Sequence, residues 1–387
     1  MKWMKILLFA CLGLGIHIPG VQAQDEASGC PRIDIGGGDS KDTVLECGTN
    51  CITLTAEVLE TGQTDDYNVQ GIPFAPPYPF NVGNPIFVGV DDIWSNVLNL
   101  PFEFCFYGKQ YNQVVVGANG VLTFDLGRAG NTCCWCMAPG TTIPTPNNPT
   151  CPGAICAQSG VYDLSINGAF HDMDPSKGGN IYWDVLGDAP CRTFVLNYND
   201  VPQFSCNGLR STSQIVLYEN TNVIDVYIGQ RQVCGGWNDG LAVIGLQNEG
   251  GTQAIAAPGR NTSAWAANNE AWRFTPDVAG APNYVISWYD MDGNLLLDDN
   301  KDFVACLPAD QVDSSYQAKV EYTICDGATI NVWDTITLVR EVPMGLTVTP
   351  DSVEFCEGDS VLVELRNGVS YEWSPDPQIT DVNDSNQ

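Results

Sequence analysis

Two pairs of aspartates have a spacing that suits a hard cation. Asp172 and Asp174 stand two residues apart beside His171, and Asp91 and Asp92 are adjacent. Carboxylates at i and i+2 of an extended segment can share Ca²⁺, which takes six to eight oxygen ligands. Aspartates at such positions also cap turns by accepting hydrogen bonds from nearby backbone. Both interpretations stay open. Calcium is the only cofactor the sequence suggests, more strongly at Asp172 and Asp174.

The sequence shows no catalytic set. Beyond residue 23, His171 is the only histidine, and no nucleophile-elbow pattern surrounds it. A cysteine nucleophile is disfavoured where thiols are oxidised. The 46 acidic residues offer many carboxylate pairs of the glycosidase kind, but nothing singles one out. We therefore predict that the chain is not an enzyme.

The N-terminal segment has the pattern of a secretory signal peptide over residues 1–23. Lys2 and Lys5 precede an apolar run that is too short to span a bilayer. The small-x-small pattern at residues 21–23 predicts cleavage between Ala23 and Gln24. A lipoprotein box ending at Cys11 is disfavoured because it would leave too short an apolar run. The sequence predicts no transmembrane span elsewhere.

The cysteines predict a disulfide framework. Of 16 cysteines, 15 follow the signal, and secreted chains oxidise such cysteines. A zinc site in the densest cluster is less favoured, because zinc prefers close Cys and His pairs. We expect Cys306 to pair with Cys325, and Cys356 to stay free. The other pairs should form locally within three groups: Cys30, Cys47 and Cys51; Cys133, Cys134, Cys136, Cys151 and Cys156; and Cys191, Cys206 and Cys234.

Charge and periodicity bound the class of protein. The formal net charge of −30 excludes a nucleic-acid backbone as the main partner, since that needs a basic footprint. Short runs with alternating apolar residues, separated by Gly, Pro, Asn and Asp, predict an all-β fold. Residues 113–116 and 121–124 flank a tight-turn signal at 117–120. The Pro-rich, aromatic stretch 71–85 is expected to be an ordered loop packed over a sandwich.

The pattern along the chain predicts several domains. Residues 24–276 form a large β-sandwich head, and a Pro/Gly-rich linker follows at 275–282. Residues 277–342 have the length of a small immunoglobulin-like sandwich, with Ala318, Val320 and Tyr322 on a buried face together with Tyr316. Residues 343–387 begin another such module and are too few to complete it. The sequence therefore resembles the N-terminal piece of a longer chain.

Several segments in order resemble a known extracellular family. They lie at residues 91–95, 100–108, 117–125, 171–175, 179–183, 257–262 and 270–276. The Asn-Gly strand motif and the Asp-x-Asp stretch before Gly-Asn-Ile-Tyr resemble the nidogen-like domain, over residues 30–276. The fuller pattern is similar to the N-terminal region of large Bacteroidetes surface proteins exported by the type IX secretion system and linked to gliding and adhesion. The later modules are similar to their immunoglobulin-like or PKD-like repeats, although no C-terminal sorting domain is found.

The resemblance implies an interaction module without catalytic residues. The first expectation is a secreted adhesin, attached to the bacterial surface and followed by further repeats, that binds an extracellular protein or glycan. The alternative is a secreted carbohydrate-binding or carbohydrate-processing protein. Its aromatic platforms would come from the tryptophans, although burial in a sandwich is their commoner fate. The candidates are Trp94, Trp135, Trp183, Trp237, Trp265 and Trp272.

Overall fold

A computed structural model describes most of the chain. The described residues are 28–36, 42–45, 49–86, 90–151, 156–279, 281–308, 310–340, 347–349 and 364–366. The predicted signal peptide with its predicted cleavage point, and the predictions for Cys47 and Cys356, lie outside them. Most of the predicted final module does too, and its described part is one antiparallel pair of short strands, Thr347–Thr349 and Glu364–Arg366.

The described chain is built from strands joined by turns and short 3₁₀ segments, which confirms the all-β prediction. In chain order the strands are β1 Ile33–Ile35, β2 Asp42–Leu45, β3 Cys51–Val58, β4 Tyr67–Gly71, β5 Asn84–Pro85, β6 Leu98–Phe106, β7 Lys109–Gly117, β8 Val121–Thr123, β9 Ser165–Phe170, β10 Asn180–Leu186, β11 Thr193–Gln203, β12 Cys206–Tyr218, β13 Ile224–Arg231, β14 Leu241–Gln247, β15 Ala254–Ala256, β16 Ser263–Ala264, β17 Ala267–Pro276, β18 Tyr284–Asp290, β19 Leu295–Asp298, β20 Asp302–Cys306, β21 Asp313–Thr323, β22 Thr329–Arg340, β23 Thr347–Thr349 and β24 Glu364–Arg366. The 3₁₀ segments are Leu126–Arg128, Pro175–Lys177 and Asn238–Gly240.

The large unit, residues 67–276, consists of two antiparallel sheets packed face to face. One sheet has the order β4-β17-β13-β12-β11-β10-β5, and the other has the order β15-β14-β9-β8-β7-β6, with β16 pairing with β14. Alternation explains the packing in β6, where Leu100, Phe102 and Phe104 are buried and the residues between them are exposed. Apolar side chains of the first sheet, such as Phe194 and Phe274, complete this core.

Residues 72–83 of the predicted 71–85 loop lie over the first sheet, whereas Gly71 ends β4 and Asn84–Pro85 form β5 at the edge of that sheet. Buried Asn197 donates to the backbone oxygens of Pro79 and Val82, both at 3.3 Å. Gln214 donates to the Tyr78 oxygen at 2.8 Å. These side chains satisfy loop carbonyls that no strand reaches, so the loop is ordered without joining the sheet.

The small unit contains strands from both ends of the described chain, and this departs from the predicted domain order. The sheet β19-β18-β21-β22-β2 includes β2 through a parallel pairing with β22, and the facing sheet is β1-β3-β20. The strands β1, β2 and β3, predicted as part of the head, therefore belong with the strands β18 to β22. The reason is burial: Ala318, Val320 and Tyr322 form the predicted buried face, Tyr316 is half-buried beside them, and this face is covered by Ile35 and Leu54. The large unit is thus inserted between two strands of a small sandwich.

Six cysteine pairs are close enough to be disulfides, which confirms the framework and corrects several pairings. Two bridges lie within the dense cluster, Cys134–Cys151 and Cys136–Cys156, and one within the third group, Cys206–Cys234. The remaining three join distant segments: Cys30–Cys191, Cys51–Cys306 and Cys105–Cys325.

The corrections follow from the insertion. The expected Cys306–Cys325 bridge and the expected local pairing of Cys30, Cys51 and Cys191 are wrong, because the insertion brings cysteines that are distant in sequence next to one another. Cys133, expected to be bridged, is buried and free. Cys105 was missing from the expected framework. Its bond to Cys325, together with Cys30–Cys191, ties the two units to each other.

Candidate functional site

The candidate site lies where loops meet at one end of the second sheet. β7 ends at Gly117, the turn 118–120 follows, and β9 ends at Phe170 beside the same turn. The segment with Asp91 and Asp92 is held here by single bridges, Ile93 to Thr132 and Trp94 to Gly117. The predicted tight turn is confirmed. Gly120 has φ +83°, and a Cβ there would lie 2.6 Å from the Ala169 oxygen, so glycine is required.

Asn119 connects the loops of the site. Its side chain is fully buried, and its Nδ2 donates to Asp92 Oδ1 and to the Cys133 oxygen, both at 2.8 Å. Its Oδ1 accepts from the Met173 backbone N–H at 2.8 Å. A single side chain thus fixes three separate segments relative to one another, which gives the carboxylates beside it defined positions.

The structure brings Asp91, Asp92 and Asp172 together. One carboxylate oxygen from each lies within 4.8 Å of the others. Oδ1 of Asp91 and Oδ1 of Asp172 are buried and have no hydrogen-bond partner among the described residues. Oδ2 of Asp172 accepts from Trp237 Nε1 at 2.7 Å. Buried acceptors without donors are costly, and three carboxylate oxygens at this spacing are a donor set that suits a hard cation.

The carboxylates of this cluster repel one another when they are ionised. Burial, then the neighbouring Asp92, raises the pKa of Asp172 to about 8. Burial, followed by repulsion from Asp92 and Asp174, raises the pKa of Asp91 to about 7. The pKa of Asp92 is also raised, mainly by burial, against the lowering effect of the Asn119 hydrogen bond. A bound cation would offset this repulsion, because opposite charge favours the ionised carboxylate.

Asp174 is placed differently from the prediction that paired it with Asp172. Its Oδ1 accepts from the Ser176 backbone N–H at 2.9 Å, which caps the short 3₁₀ turn at Pro175–Lys177. Its Oδ2 lies 3.9 Å from Lys177 Nζ. The turn-capping interpretation therefore describes Asp174. The cluster combines one member of the predicted 172/174 pair with both members of the predicted 91/92 pair.

Both ring nitrogens of His171, which lies beside the cluster, have hydrogen-bond partners. Its Nδ1 lies 2.6 Å from the Ala169 oxygen and its Nε2 lies 3.0 Å from Ser211 Oγ. Burial, then the charge of Arg231, lowers its pKa well below the usual range. The ring is therefore neutral and engaged at both nitrogens, which is the geometry of a structural histidine.

An aromatic surface adjoins the acidic cluster. Trp237 is 38% exposed, and its ring centroid lies 4.9 Å from that of Phe204. The other predicted platform tryptophans are buried or half-buried, so Trp237 has the largest exposed fraction of that set. The hydrogen bond to Asp172 couples this surface to the carboxylates.

Sequence reasoning missed two residues that organise the site. The sequence marks Asn119 only as part of a turn, and Trp237 only as one of several tryptophans. The Asn-Gly turn was a usable signal for Asn119, since a buried Asn must satisfy its amide. No sequence signal connects Trp237 with Asp172, which is 65 residues away.

The fold and disulfides define an extracellular type of β-rich domain, and comparison with known families identifies the family to which it belongs. The family model described as NIDO related matches residues 73–280, which is more than half of the chain. The chain belongs to the NIDO-related family, and the predicted nidogen-like resemblance is confirmed at this level. The search of curated proteins and the search of solved structures each found no significant match.

The described residues contain no helix long and apolar enough to cross a membrane. Separately, the disulfides and the extracellular type of domain are consistent with a secreted protein.

Proposed function

We propose that the chain is a secreted, non-catalytic interaction module that attaches to the bacterial surface and binds an extracellular protein or glycan. The observation that carries the proposal is the NIDO-related domain itself, an extracellular type of domain presented on a disulfide-bonded base. The finer assignment is to a gliding or adhesion protein of Bacteroidetes, exported by the type IX system and followed by immunoglobulin-like or PKD-like repeats. It rests on the motif order in residues 91–276.

We further propose that Ca²⁺ binds at Asp91, Asp92 and Asp172. The support is geometric: one carboxylate oxygen from each residue converges, and Oδ1 of Asp91 and Oδ1 of Asp172 are buried without donors among the described residues. Asn119 and Trp237 would hold the ligands by their hydrogen bonds to Asp92 and Asp172. Bound calcium would supply the positive charge that lets all three ionise, and it would fix the loop face of the domain.

The way the large unit is attached to the small sandwich supports a role in which the small sandwich presents the large unit to a binding partner. The chain leaves the small sandwich near Thr61 and returns near Asn283, where the Asn283 backbone N–H donates to the Thr61 oxygen at 3.1 Å. The bridges Cys30–Cys191 and Cys105–Cys325 add two covalent ties. A domain held at three points transmits force to its base without swinging, which suits adhesion.

The second candidate is glycan binding, and the exposed ring of Trp237 favours it. Sugar rings stack on such aromatic faces, and the neighbouring carboxylates accept hydrogen bonds from hydroxyl groups. Carbohydrate processing would in addition need a carboxylate pair placed as acid and base.

Binding of the full chain to an array of glycans and of extracellular proteins tests both candidates, with a reducing-sugar assay run alongside. Saturable binding to an array member without released sugar supports the proposal, and Trp237→Ala should weaken it only if the ligand is a glycan. Released reducing sugar would refute the non-catalytic assignment. Binding to no member of either array would refute the interaction role.

A further inference from the structure

The small sandwich has an open strand edge next to a groove. In β3 the Ala56 backbone N–H donates to the Lys301 oxygen at 2.8 Å, on the side where β20 pairs. Backbone direction repeats every two residues along a strand, so the N–H and C=O of Val58 face the same side. The strand β20 begins at Asp302, opposite Thr55, so within the described part of the chain it does not extend as far as Val58.

A second open edge faces the first. The Ile286 oxygen accepts from the Asn300 backbone N–H at 3.3 Å, toward the side where β19 pairs with β18. The pairing with β19 covers Ser287–Tyr289 only, so the backbone of Tyr284 on that side has no partner strand among the described residues. The two edges border one groove of ≈ 420 Å³.

The groove has a defined charge and defined ends. Glu57, Glu60 and Asp299 line it, against a single cation, Lys301. The loop 299–301 bounds one end, and Pro282, beside the connections to the large unit, bounds the other. Val58 and Ile286 give the groove apolar walls. Exposed backbone donors and acceptors beside an apolar slot are what an extended peptide pairs with.

We propose that this groove binds an extended, basic peptide segment of a partner protein, which adds as a strand to the free edge of β3. The charge of the groove selects lysine or arginine side chains. It also disfavours a second copy of this chain, whose net charge is −30. The proposal goes beyond the function proposed above and does not depend on the aspartate cluster, so the failure of one leaves the other standing.

The test uses the full chain at physiological salt and a labelled, end-blocked peptide in which valine and lysine alternate, with binding read by fluorescence anisotropy. Because any cationic peptide is attracted to an acidic protein, the key control is the same peptide with alternate backbone nitrogens methylated. That change keeps the charge and removes strand pairing. A peptide with glutamate in place of lysine tests the charge.

The expected result is saturable binding that falls about tenfold with N-methylation, and about tenfold with Glu57→Lys/Glu60→Lys. The matched variant Glu103→Lys/Asp188→Lys, which changes exposed acids of the large unit, should bind as the wild type does. Lys301→Glu should bind several-fold more tightly, and this opposite sign holds even if the first variant folds poorly.

Three outcomes would overturn the proposal. Equal binding of the methylated peptide would show a general charge effect. Equal loss in the matched variant would place the site elsewhere. Self-association of the chain that Glu57→Lys/Glu60→Lys abolishes would assign the groove to a second copy.

Discussion

Ionising the aspartate cluster without a bound cation costs free energy, and this leads to a prediction in which removing a carboxylate stabilises the protein. Asp172→Asn should stabilise the folded chain in chelator, because it removes a buried charge, and should also remove most of the stabilisation by Ca²⁺. Asn keeps an oxygen that accepts from Trp237 Nε1, so the hydrogen bond is retained.

The magnitude follows from the pKa of Asp172, which burial raises from 3.8 to about 8. At 1.36 kcal/mol per pKa unit, ionising this group in the folded state costs roughly 6 kcal/mol before solvent screening is allowed for. Asp91 contributes less because it is half exposed, and the repulsion between the two carboxylates is counted in both pKa values. Solvent screening of these partly exposed groups lowers both figures, so we expect about 3–5 kcal/mol for the cluster as a whole.

The sign of the pH dependence is fixed by the direction of these shifts. An acid whose folded pKa is raised holds its proton in the folded state after the unfolded state has lost it. In chelator the stability due to this cluster is therefore full below pH 3.8, falls as pH rises, and levels off above about 8. Calcium should remove this fall by favouring the ionised carboxylates, and at a hundredfold excess over its Kd it adds about 2.7 kcal/mol.

Urea unfolding followed by tryptophan fluorescence measures this at pH 5 and pH 8, with chelator or with Ca²⁺. In chelator at pH 8 the Asp172→Asn protein should be about 2–4 kcal/mol more stable than the wild type. Asp188→Asn, which changes an exposed turn aspartate, is the matched control and should behave as the wild type. The reasoning is refuted if Ca²⁺ stabilises Asp172→Asn as much as it stabilises the wild type, or if the wild type in chelator is equally stable at both pH values.

Three further predictions concern the scaffold. Arg273→Met should lower the free energy of unfolding in urea by about 3–5 kcal/mol. The reason is that it leaves the fully buried Asp225 carboxylate without the two hydrogen bonds, at 2.7 and 2.8 Å, that Arg273 donates to it. A loss under about 1 kcal/mol would contradict this. Replacing Cys105 and Cys325 by Ser should lower stability by about 5 kcal/mol, since the bridge closes a loop of 220 residues, and an unchanged melting temperature would contradict the tie between units. The Cys133 thiol, whose pKa burial raises far above its usual range, should resist alkylation until the chain unfolds; labelling of Cys133 in the native protein, mapped by mass spectrometry, would contradict its burial.

The alternation of apolar residues was enough to predict the class of fold and several local features. The β7–β8 turn, the overlying Pro-rich loop and the buried face of β21 all follow from patterns a few residues long. These features are set by local backbone chemistry, which a single sequence displays.

The insertion of the large unit could not be predicted, because it depends on which distant strands cover the apolar face of β21. Nothing local in residues 33–58 distinguishes a strand of the small sandwich from a strand of the large one. The same distance explains the bridges Cys51–Cys306 and Cys105–Cys325.

The aspartate cluster was predictable in composition but not in membership. The sequence indicates four carboxylates, and in the structure three of them lie close together. The Asn119 side chain holds the Asp92 loop near the end of β9 through its hydrogen bonds to Asp92 and to the Met173 backbone. Asp174 is drawn away by the turn it caps.

The central claim is that the large unit is the binding part and the small sandwich its base. Its most direct test is adhesion of beads that carry the full chain or a headless chain. Gly62 and Pro282 already pair as neighbours, so joining them excises the large unit, with Cys30 and Cys325 replaced by Ser because their partners are lost. A full-length chain with both cysteine pairs replaced by Ser is the control. We predict that full-length beads adhere to the array members whose binding survives Glu57→Lys/Glu60→Lys in the groove of the small sandwich, and that headless beads, equally coated and folded, do not. Equal adhesion of the headless beads would contradict the account.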